Sequence, residues 1–221
     1  MQFYFYELPT ASTDNEAPHH TILILTMKSE KAKDTDTDGR VQRSKRSRQK
    51  IMEAIFSLNV DGVYVPIAQE VADKAGLGIR TVFRHFSDME RLFVEGDRML
   101  YAQFQDQPNV QPAGSLEERI EQFAAIRCDN FERFAPYIRA TQAQLWRYNK
   151  LRQNYRALTK IHRTRLFSFI PELEEMSKLS QDAADVAMSF ESWNRLRFTQ
   201  RKSKKETRTI MVFSLSVLLK N

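Results

Sequence analysis

The 221-residue sequence has a single cysteine, Cys128, and therefore cannot form a disulfide within the chain. A chain without disulfides is typical of a reducing compartment. No apolar run approaches the ~18 residues that a membrane span needs, and the N-terminus lacks the basic region that opens a signal peptide. We therefore expect a cytoplasmic protein with no membrane partner.

The sequence also lacks the residue groupings that mark catalytic and metal sites. Its four histidines do not have metal-ligand spacing. It contains no G-x-S-x-G elbow, no P-loop and no G-x-G-x-x-G motif. Arg127 beside Cys128 would lower a thiol pKa, but an inert core cysteine is the better interpretation. These absences predict a protein that is not an enzyme and holds no cofactor and no metal.

Apolar bulk and positive charge are what the sequence has in quantity. It is 42% hydrophobic and 28% charged, with 15 phenylalanines and eight methionines against six glycines, a composition that favours a helical interior. The formal net charge is +6, and the isoelectric point is near 9.4. An excess of positive charge is typical of proteins that bind polyanions such as DNA.

Residues 66–86, PIAQEVADKAGLGIRTVFRHF, are predicted to form two short helices joined by a tight turn. Pro66 suits the first helical position, and the apolar spacing turns Val71 inward. Gly76 suits the left-handed conformation that ends a helix. The second helix turns Val82 inward and leaves its polar side chains outside. This is the sequence form of a helix-turn-helix, whose second helix enters the DNA major groove.

The next helix is predicted to open with a capping box, in which the Ser87 hydroxyl and the Glu90 carboxylate bond each other's backbone amides. Before the motif, a helix carries Ile51 and Ile55 on its inner face. The whole run, with TVFRHF followed by SDMERLF, resembles the DNA-binding domain of TetR-type (tetracycline-repressor-like) transcriptional regulators. The resemblance covers roughly the second quarter of the chain.

The resemblance implies which residues contact DNA. Family members contact base edges from the start of the second helix, where Arg80 is the best physical candidate because a guanidinium can bond guanine O6 and N7 together. Arg84 and His85 are better placed for the phosphate backbone. The predicted DNA-binding residues are Arg43, Lys45, Arg46, Gln69, Gly78, Ile79, Arg80, Thr81, Phe83, Arg84 and His85.

Three positions depart from the family pattern. A hydroxyl residue usually opens the second helix of the domain, where this chain has Pro66 and Ile67. The family usually has tyrosine where this chain has Phe83, and often has lysine where it has Met89. Each change removes a phosphate-bonding group. These departures leave open an alternative, a helical protein-interaction module whose DNA-binding motif is degenerate.

The N-terminal 40 residues differ from the rest, with no helical period and a polar low-complexity stretch typical of disorder. Because Met27 directly precedes that stretch, a translation start at Met27 is an alternative to Met1. Residues 40–50 then contain six basic and no acidic side chains. Beside a helix-turn-helix, this run predicts a flexible basic arm that neutralises phosphates or enters the minor groove.

The C-terminal part is predicted to be a second helical region. Capping boxes begin at Ser115 and Ser203, and helices are expected to open at Pro136 and Ser180. The helix from Ser180 is expected to continue as one helix through Phe190 and Trp193, which share an apolar stripe with Val186. Residues 209–219 are apolar on nearly all sides, which predicts a buried helix rather than a strand. The segment SFESWNRLRF with this closing helix resembles the end of TetR-type regulators. The resemblance implies a homodimer formed by the last two helices in a four-helix bundle.

An apolar pocket between helices of this second region is predicted to bind an unidentified small-molecule effector. Ordinary core packing is the alternative explanation for each residue concerned. The candidate lining residues are Phe123, Arg127, Tyr137, Trp146, His162, Phe190 and Trp193.

The sequence therefore predicts an all-α, two-part homodimer that regulates transcription in response to a ligand, most often as a repressor in this family. Residues 1–40 form the disordered or mis-assigned extension, residues 41–105 the helix-turn-helix DNA-binding domain, and residues 115–221 the effector-binding and dimerisation domain. The predicted partners are double-stranded DNA at a palindromic operator, a second copy of the chain and the effector. An enzyme on a helical scaffold is disfavoured because no acid, base or nucleophile cluster is present.

Overall fold

The computed structural model describes residues 36–105 and 110–220. Within these ranges every regular element is a helix and none is a strand, which confirms the all-α prediction. The predictions made for residues 1–35, including the start at Met27, lie outside the described residues, as do linker residues 106–109.

The described chain is built from α-helices joined by short loops. It also contains a 3₁₀ helix at Pro171–Glu175 and a π-helical turn at Arg195–Thr199. The α-helices are α1 (Asp36–Val60), α2 (Ala68–Ala75), α3 (Ile79–His85), α4 (Met89–Gln105), α5 (Leu116–Gln142), α6 (Asn149–Phe169), α7 (Lys178–Ala187), α8 (Phe190–Asn194) and α9 (Lys204–Lys220).

The helices divide between two compact units. Within the described part, the first unit contains residues 36–103 and 136–151, and the second contains residues 104–135 and 152–220. The divisions therefore fall inside α4, inside α5 at Pro136 and inside α6. The functional domain boundaries expected from the sequence stay a prediction.

The first unit holds α1 to α4 around one apolar core. Each helix contributes a side chain that is at most 1% exposed, namely Ile51, Val71, Val82 and Leu92 in chain order. Removing such a side chain from water stabilises the fold by about 1.5–3 kcal/mol. The core therefore fixes which face of each helix points outward, including the face of α3.

The turn between α2 and α3 has the predicted geometry. Gly76 adopts a left-handed conformation with φ of 64°, which costs glycine little because it has no Cβ. The Leu77 amide donates to the Ala72 carbonyl at 3.0 Å, and the Gly76 amide donates to the Asp73 carbonyl at 3.1 Å. These two bonds form a Schellman motif, which satisfies carbonyls that the end of a helix leaves free.

Two helix starts in the first unit differ from prediction. Asp88, not Ser87, caps α4, because its Oδ1 accepts from the Arg91 amide at 2.8 Å. Pro66 is not the first residue of α2, since the helix begins at Ala68 with Ile67 as its N-cap. Ile67 has no oxygen to offer, but its amide donates to the Glu70 carboxylate at 2.8 Å. One half of a capping box therefore replaces the missing hydroxyl.

The basic run at residues 40–50 is helical, so the prediction of a flexible arm was wrong. It forms the first half of α1, which begins at Asp36, inside the stretch predicted to be disordered. The Arg43 Nε donates to the Gly39 carbonyl at 3.2 Å, one helical turn back. The buried face expected farther along this helix is confirmed, since Ile55 is 3% exposed.

The second unit is centred on aromatic side chains. The Phe131 ring lies 5.5 Å from Phe190 and 5.7 Å from Trp193, between ring centroids, which suits attractive edge and tilted packing. Cys128 is buried here, and burial raises its pKa to about 11. A thiol that stays protonated is a poor nucleophile, so Cys128 behaves as a core residue.

Three helix predictions in the C-terminal half were wrong. Pro136 lies inside α5 rather than opening a helix. Ser177, not Ser180, caps α7, because the Ser177 hydroxyl accepts from the Ser180 amide at 3.1 Å. The single helix expected across this region is interrupted at Ser189, which caps α8. The capping boxes at Ser115 and Ser203 are confirmed.

The closing segment is a helix rather than a strand, as predicted, and in the single chain α9 is buried on one side. Met211 and Leu215 are at most 1% exposed, whereas Phe213 is 67% and Val217 is 41% exposed. An exposed apolar stripe on a helix is a recurrent feature of association surfaces. We call Phe213 and Val217 the α9 stripe.

Gly96 is the position in α4 where a substitution should stabilise the protein. A Cβ built there would lie 3.6 Å from the Met52 Cε and 3.8 Å from the Phe56 ring, which are ordinary contacts. Because glycine inside a helix is less favourable than alanine, Gly96→Ala should raise the free energy of unfolding by about 0.5–1 kcal/mol. Urea unfolding measures the change. Gly76→Ala is the matched control, and it should lose about 1–2 kcal/mol because of its positive φ. A loss of stability in Gly96→Ala would contradict the expectation.

Candidate nucleic-acid interface

Helix α3 presents one face to the core and the other to solvent. Val82 is 1% exposed, whereas Ile79 is 36% and Phe83 is 44% exposed. Arg80 and Arg84 are exposed as well. The outward face of the predicted recognition helix therefore combines two guanidinium groups with apolar side chains.

The start of α3 is fixed by backbone bonding rather than by a side-chain cap. Gly78 is the N-cap, with φ of −71° and ψ of 145°, and its carbonyl accepts from the Thr81 amide at 2.8 Å. Thr81 is half-buried. Gly78 can offer only its backbone to a partner, so any side-chain contact at this end of α3 depends on the residues that follow it.

The side chains of the two arginines of α3 have no bonding partner in the described chain. Within residues 36–105 and 110–220, neither Arg80 nor Arg84 makes a hydrogen bond or an ion pair through its side chain. Lys74 on the preceding helix differs, since its Nζ lies 2.7 Å from the Asp61 carboxylate. The guanidinium groups of α3 are thus available to an external acceptor, whereas the ammonium of α2 already has a carboxylate partner.

Gln69 and His85 have less freedom than the sequence suggested. The Gln69 Nε2 donates to the Asp73 carboxylate at 2.7 Å, so one of its two amide N–H groups is already bonded. His85 is half-buried, and its Nε2 is shielded from water without a partner in the described chain. Burial, with smaller contributions from Arg84 and Arg48, lowers the pKa of His85. Its imidazole is therefore neutral at pH 7. Direct DNA contact by either residue stays a prediction.

The first half of α1 carries the other predicted phosphate contacts. Arg43, Lys45 and Arg46 are all exposed. For Lys45 and Arg46 the described residues supply no side-chain partner. A helix with several unpaired cations on its surface suits the non-specific attraction to phosphates that underlies DNA binding.

Arg48 connects α1 to α4 and to Phe86, the residue that follows α3, and sequence reasoning missed this role. Its guanidinium carbon lies 4.6 Å from the centre of the Phe86 ring, and its Nη2 lies 2.9 Å from the Glu95 carboxylate. Hydrogen bonds from Arg98 and then Arg48 lower the pKa of Glu95 to about 2 despite its partial burial. Arg48 is thus held by this network, and its place in a run of identical charges gave no sign of that.

Three residues predicted to line an effector pocket lie together in the second unit. Arg127 is 6% exposed, its guanidinium carbon is 4.7 Å from the centre of the Phe123 ring, and its Nη2 donates to the His162 carbonyl at 2.6 Å. Burial lowers the pKa of Arg127 to about 10, so it stays charged at neutral pH.

The other four predicted pocket residues are divided between the units. Phe190 and Trp193 are buried in the second unit with ring centroids 5.5 Å apart. Tyr137 and Trp146 belong to the first unit, where Trp146 is 77% exposed. A partly open cleft in the first unit includes Tyr137 but none of the other six.

His162 should make the stability of the protein depend on pH. Burial, followed by the charges of Arg127 and Arg165, lowers its pKa to about 3. The unfolded chain binds a proton near the ordinary pKa of about 6.5. The stabilisation is therefore complete above that pH and is lost as the pH falls toward 3.

The matched variant for this effect is His162→Gln. Between pH 7 and pH 5 the wild type should lose at most about 2 kcal/mol more than this variant does. Urea unfolding at pH 7, 6 and 5 gives the two curves. If the stabilities of wild type and His162→Gln fell in parallel with pH, the folded-state pKa of His162 would be close to its ordinary value. That result would contradict the expectation.

Membrane-spanning helices and metal-binding clusters are both absent from residues 36–105 and 110–220. In the part of the chain that the structure describes, no helix is both long and apolar enough to cross a membrane. The same part contains no group of three or more histidine, cysteine, aspartate or glutamate side chains placed to hold a metal ion.

Comparison with solved structures identifies the fold. Similar structures include a transcriptional regulator from a Rhodococcus species, with a TM-score of 0.63 and 16% sequence identity, covering 79% of this chain and 96% of that one. They also include a Mesorhizobium loti protein assigned to the TetR family of transcriptional regulators, with a TM-score of 0.52 and 20% identity, covering 80% of this chain and 97% of that one. No protein-family model and no curated protein matches the sequence.

Proposed function

We propose that this chain, which has the fold of TetR-type transcriptional regulators, is a sequence-specific DNA-binding protein that controls transcription. The observation that carries the proposal is the outward face of α3, where Arg80 and Arg84 are exposed and without partners in the described chain. A rigid helix that presents unpaired guanidinium groups suits the major groove, where arginine bonds guanine in a bidentate manner.

The proposed contacts separate into two kinds. Arg80 bonds base edges, whereas Arg84 and the cations of α1 bond phosphates and fix the register of the protein on the duplex. Phe83 lacks the hydroxyl of a tyrosine, so its exposed ring offers apolar contact, such as to a thymine methyl group. Lys45 and Arg46 extend the phosphate surface along α1 and contribute to the salt dependence of binding.

The protein acts as a homodimer in this proposal. Phe213 and Val217 are exposed on the last helix although both are apolar, and a second copy of the same stripe would cover them across a two-fold axis. A dimer presents two recognition helices to a palindromic operator, whose half-sites lie about one DNA turn apart.

An effector bound within the C-terminal domain would modulate operator affinity, with repression as the basal state. Such control requires that the effector bind the DNA-competent and DNA-incompetent states with different affinities. The burial of Arg127 without a carboxylate within ion-pair distance among the described residues supports a ligand-responsive second unit.

Fluorescence anisotropy tests the proposed function. The purified protein is titrated onto labelled duplexes from upstream of its own gene and onto scrambled duplexes of the same composition, over a series of salt concentrations. We expect one duplex to bind at least about 10³-fold more tightly than the scrambled duplexes do. We also expect this binding to weaken as the salt concentration rises. If the protein bound every duplex with the same affinity and lost that binding at high salt, the result would contradict sequence-specific function.

A protein-interaction module is the second candidate, and the apolar side chains around the motif favour it. Ile67 is 63% and Phe83 is 44% exposed, at positions where the TetR-type pattern has hydroxyl residues. If the motif no longer binds DNA, these side chains would serve a protein partner instead. The anisotropy titration separates the two candidates, because a degenerate motif shows no selective duplex.

A further inference from the structure

Helix α3 is held to its unit by very few of its own side chains. Of its seven residues, Ile79–His85, only Val82 is buried. A helix of this length is not stable by itself in water, where isolated helices need roughly 12–15 residues. The orientation of its outward face therefore depends on the residues that hold its two ends.

Phe86 holds the C-terminal end of α3. Its amide donates to the Val82 carbonyl at 2.9 Å, which closes the last turn of the helix. Phe86 is itself 3% exposed. Because Phe86 directly follows His85, the last residue of α3, a movement of the Phe86 ring would shift the end of the helix.

Arg48 of α1 covers the Phe86 ring. Its guanidinium carbon lies 4.6 Å from the centre of that ring, within the range of a cation–π contact. Its Nη2 lies 2.9 Å from the carboxylate of Glu95 on α4. One guanidinium therefore packs against the residue that ends α3 and pairs with α4 at the same time. Arginine suits this double contact because its planar face stacks while its edge donates hydrogen bonds.

Glu95 is itself held in place by a second arginine. The Nε and Nη2 of Arg98 donate to the two oxygens of the Glu95 carboxylate at 3.0 Å and 2.9 Å. This bidentate arrangement fixes the plane of the carboxylate. The Glu95 side chain is only 20% exposed. A half-buried carboxylate bonded by two arginines is a stronger anchor than an isolated surface ion pair, which contributes little.

The bonding of Arg48 distinguishes it from other cations of α1. Lys45 and Arg46 are exposed, and neither has a side-chain partner among the described residues. The Arg48 guanidinium already has a carboxylate partner, so it has less to gain from a phosphate. Lys45 and Arg46 therefore suit phosphate contacts, whereas Arg48 suits a role within the protein.

We propose that Arg48 and Glu95 are positioning residues for sequence recognition by α3. Glu95 keeps the Arg48 guanidinium against Phe86, and Phe86 fixes the end of the helix that presents Arg80 to the bases. This role rests on the proposed function, because it requires that α3 contact base edges. It makes an acidic residue necessary for selectivity, although an acid does not attract phosphates.

Glu95→Gln separates positioning from charge, because the two effects have opposite signs. Removal of an acid from a DNA-binding unit favours phosphates, so charge alone predicts tighter binding to every duplex. We expect instead that binding to the selective duplex weakens about 5-fold or more, whereas binding to scrambled duplexes does not weaken. Fluorescence anisotropy at one salt concentration measures both affinities.

Glu90→Gln is the matched control for this variant. It removes the same charge from the same helix, α4, and the Glu90 side chain has no partner in the described chain. It should therefore change the affinity for both duplexes by the same factor.

Two substitutions of Arg48 test whether its charge or its packing is responsible. Methionine keeps the apolar stem without the cation, so Arg48→Met should lose selectivity as Glu95→Gln does. Arg48→Lys keeps the cation and should retain most of the selectivity. In the double variant of Arg48→Met with Glu95→Gln the losses should not add, because both substitutions break one contact. Arg46→Ala removes an unpaired cation from the same helix and should weaken both duplexes equally.

Hydrogen exchange measured on the full chain without DNA gives a second readout. The amides of α3 and Phe86 should exchange about 3-fold or more faster in Glu95→Gln than in wild type, because the end of the helix is held less firmly. The amides of α9, which belongs to the second unit, should exchange at unchanged rates. That combination would show a local effect on α3 rather than a loss of overall stability.

Three outcomes would overturn the proposal. They are tighter binding of Glu95→Gln to both duplexes, wild-type selectivity in Arg48→Met, and identical exchange of α3 in Glu95→Gln and wild type. If Arg48→Met fails to fold, Glu95→Gln decides alone. A wild type without any selective duplex would remove the proposed function and this role together. A selective wild type whose selectivity Glu95→Gln does not change would remove this role alone.

Discussion

Replacing Arg80 with alanine is expected to weaken binding to the specific operator by about 1–3 kcal/mol, with much less effect on scrambled DNA. The reason is the position of this guanidinium, which is exposed on the outward face of α3 and has no partner in the described part of the chain. A side chain that bonds a guanine edge contributes to one sequence and not to others. Fluorescence anisotropy on both duplexes at one salt concentration measures the difference.

Two further variants separate base recognition from charge. Arg80→Lys keeps the charge but loses the planar fork that grips O6 and N7 together, so it should also lose selectivity. Arg195→Ala removes the same charge from an exposed site in the second unit and should leave both affinities unchanged. If Arg80→Ala weakens both duplexes equally and reduces the salt dependence by about one phosphate contact, Arg80 contacts the backbone instead.

Replacing Phe213 with glutamate is expected to split the dimer and abolish tight operator binding. Phe213 is 67% exposed in the isolated chain, so the change leaves the core of its own unit intact. In a two-fold interface the substitution occurs twice, and removing two central aromatic contacts costs about 4 kcal/mol or more, roughly 1,000-fold in dimer affinity. Analytical ultracentrifugation should show twice the 25.9 kDa chain mass for wild type and the chain mass for the variant.

The control for the dimer experiment is Val110→Glu, which introduces the same charge at a residue that is 41% exposed and outside the helices. It should stay dimeric and bind the operator as wild type does. A Phe213→Glu protein that remains dimeric would place the interface away from the α9 stripe. A monomeric wild type that still binds a palindrome tightly would contradict the dimer model.

The helix-turn-helix could be predicted from sequence because its determinants are local. The turn depends on one residue, Gly76, whose left-handed conformation few other residues adopt easily. The inward positions of Val71 and Val82 follow from helical spacing, and both side chains are buried. Local chemistry of this kind is visible in a short window of sequence, whatever the rest of the chain does.

Helix ends that depend on competing local bonds or on distant packing were not predictable. Ser87 and Asp88 are adjacent possible caps, and only the structure shows that Asp88 bonds the Arg91 amide. Pro136 was expected to open a helix, but buried side chains on either side hold α5 together. Such packing offsets the roughly 3 kcal/mol cost of proline inside a helix.

The interruption between α7 and α8 at Ser189 could not be predicted from the sequence for a different reason. Its hydroxyl donates to the Val186 carbonyl at 2.8 Å and accepts from the Ser192 amide at 3.2 Å, so one residue ends α7 and begins α8. The apolar spacing continues through Phe190 and Trp193, which suggested one helix. Neither glycine nor proline marks the interruption.

Some features of the candidate sites could be predicted from local sequence, and others could not. The exposed arginines of α3 follow from the helical face on which they lie, although their contact with DNA stays a prediction. The network of Arg48 with Glu95 joins residues far apart in sequence. A contact between distant residues leaves no local pattern, so this network required the structure.

Selection of bound duplexes from a random-sequence library tests the central claim most directly. The wild-type protein is expected to enrich a two-fold symmetric motif whose half-site centres lie about 10 base pairs apart. Arg80→Ala should lose the preference for guanine at one position in each half-site. A library that shows no enriched motif after repeated rounds, although the protein is folded and binds DNA at low salt, would contradict sequence-specific recognition by α3.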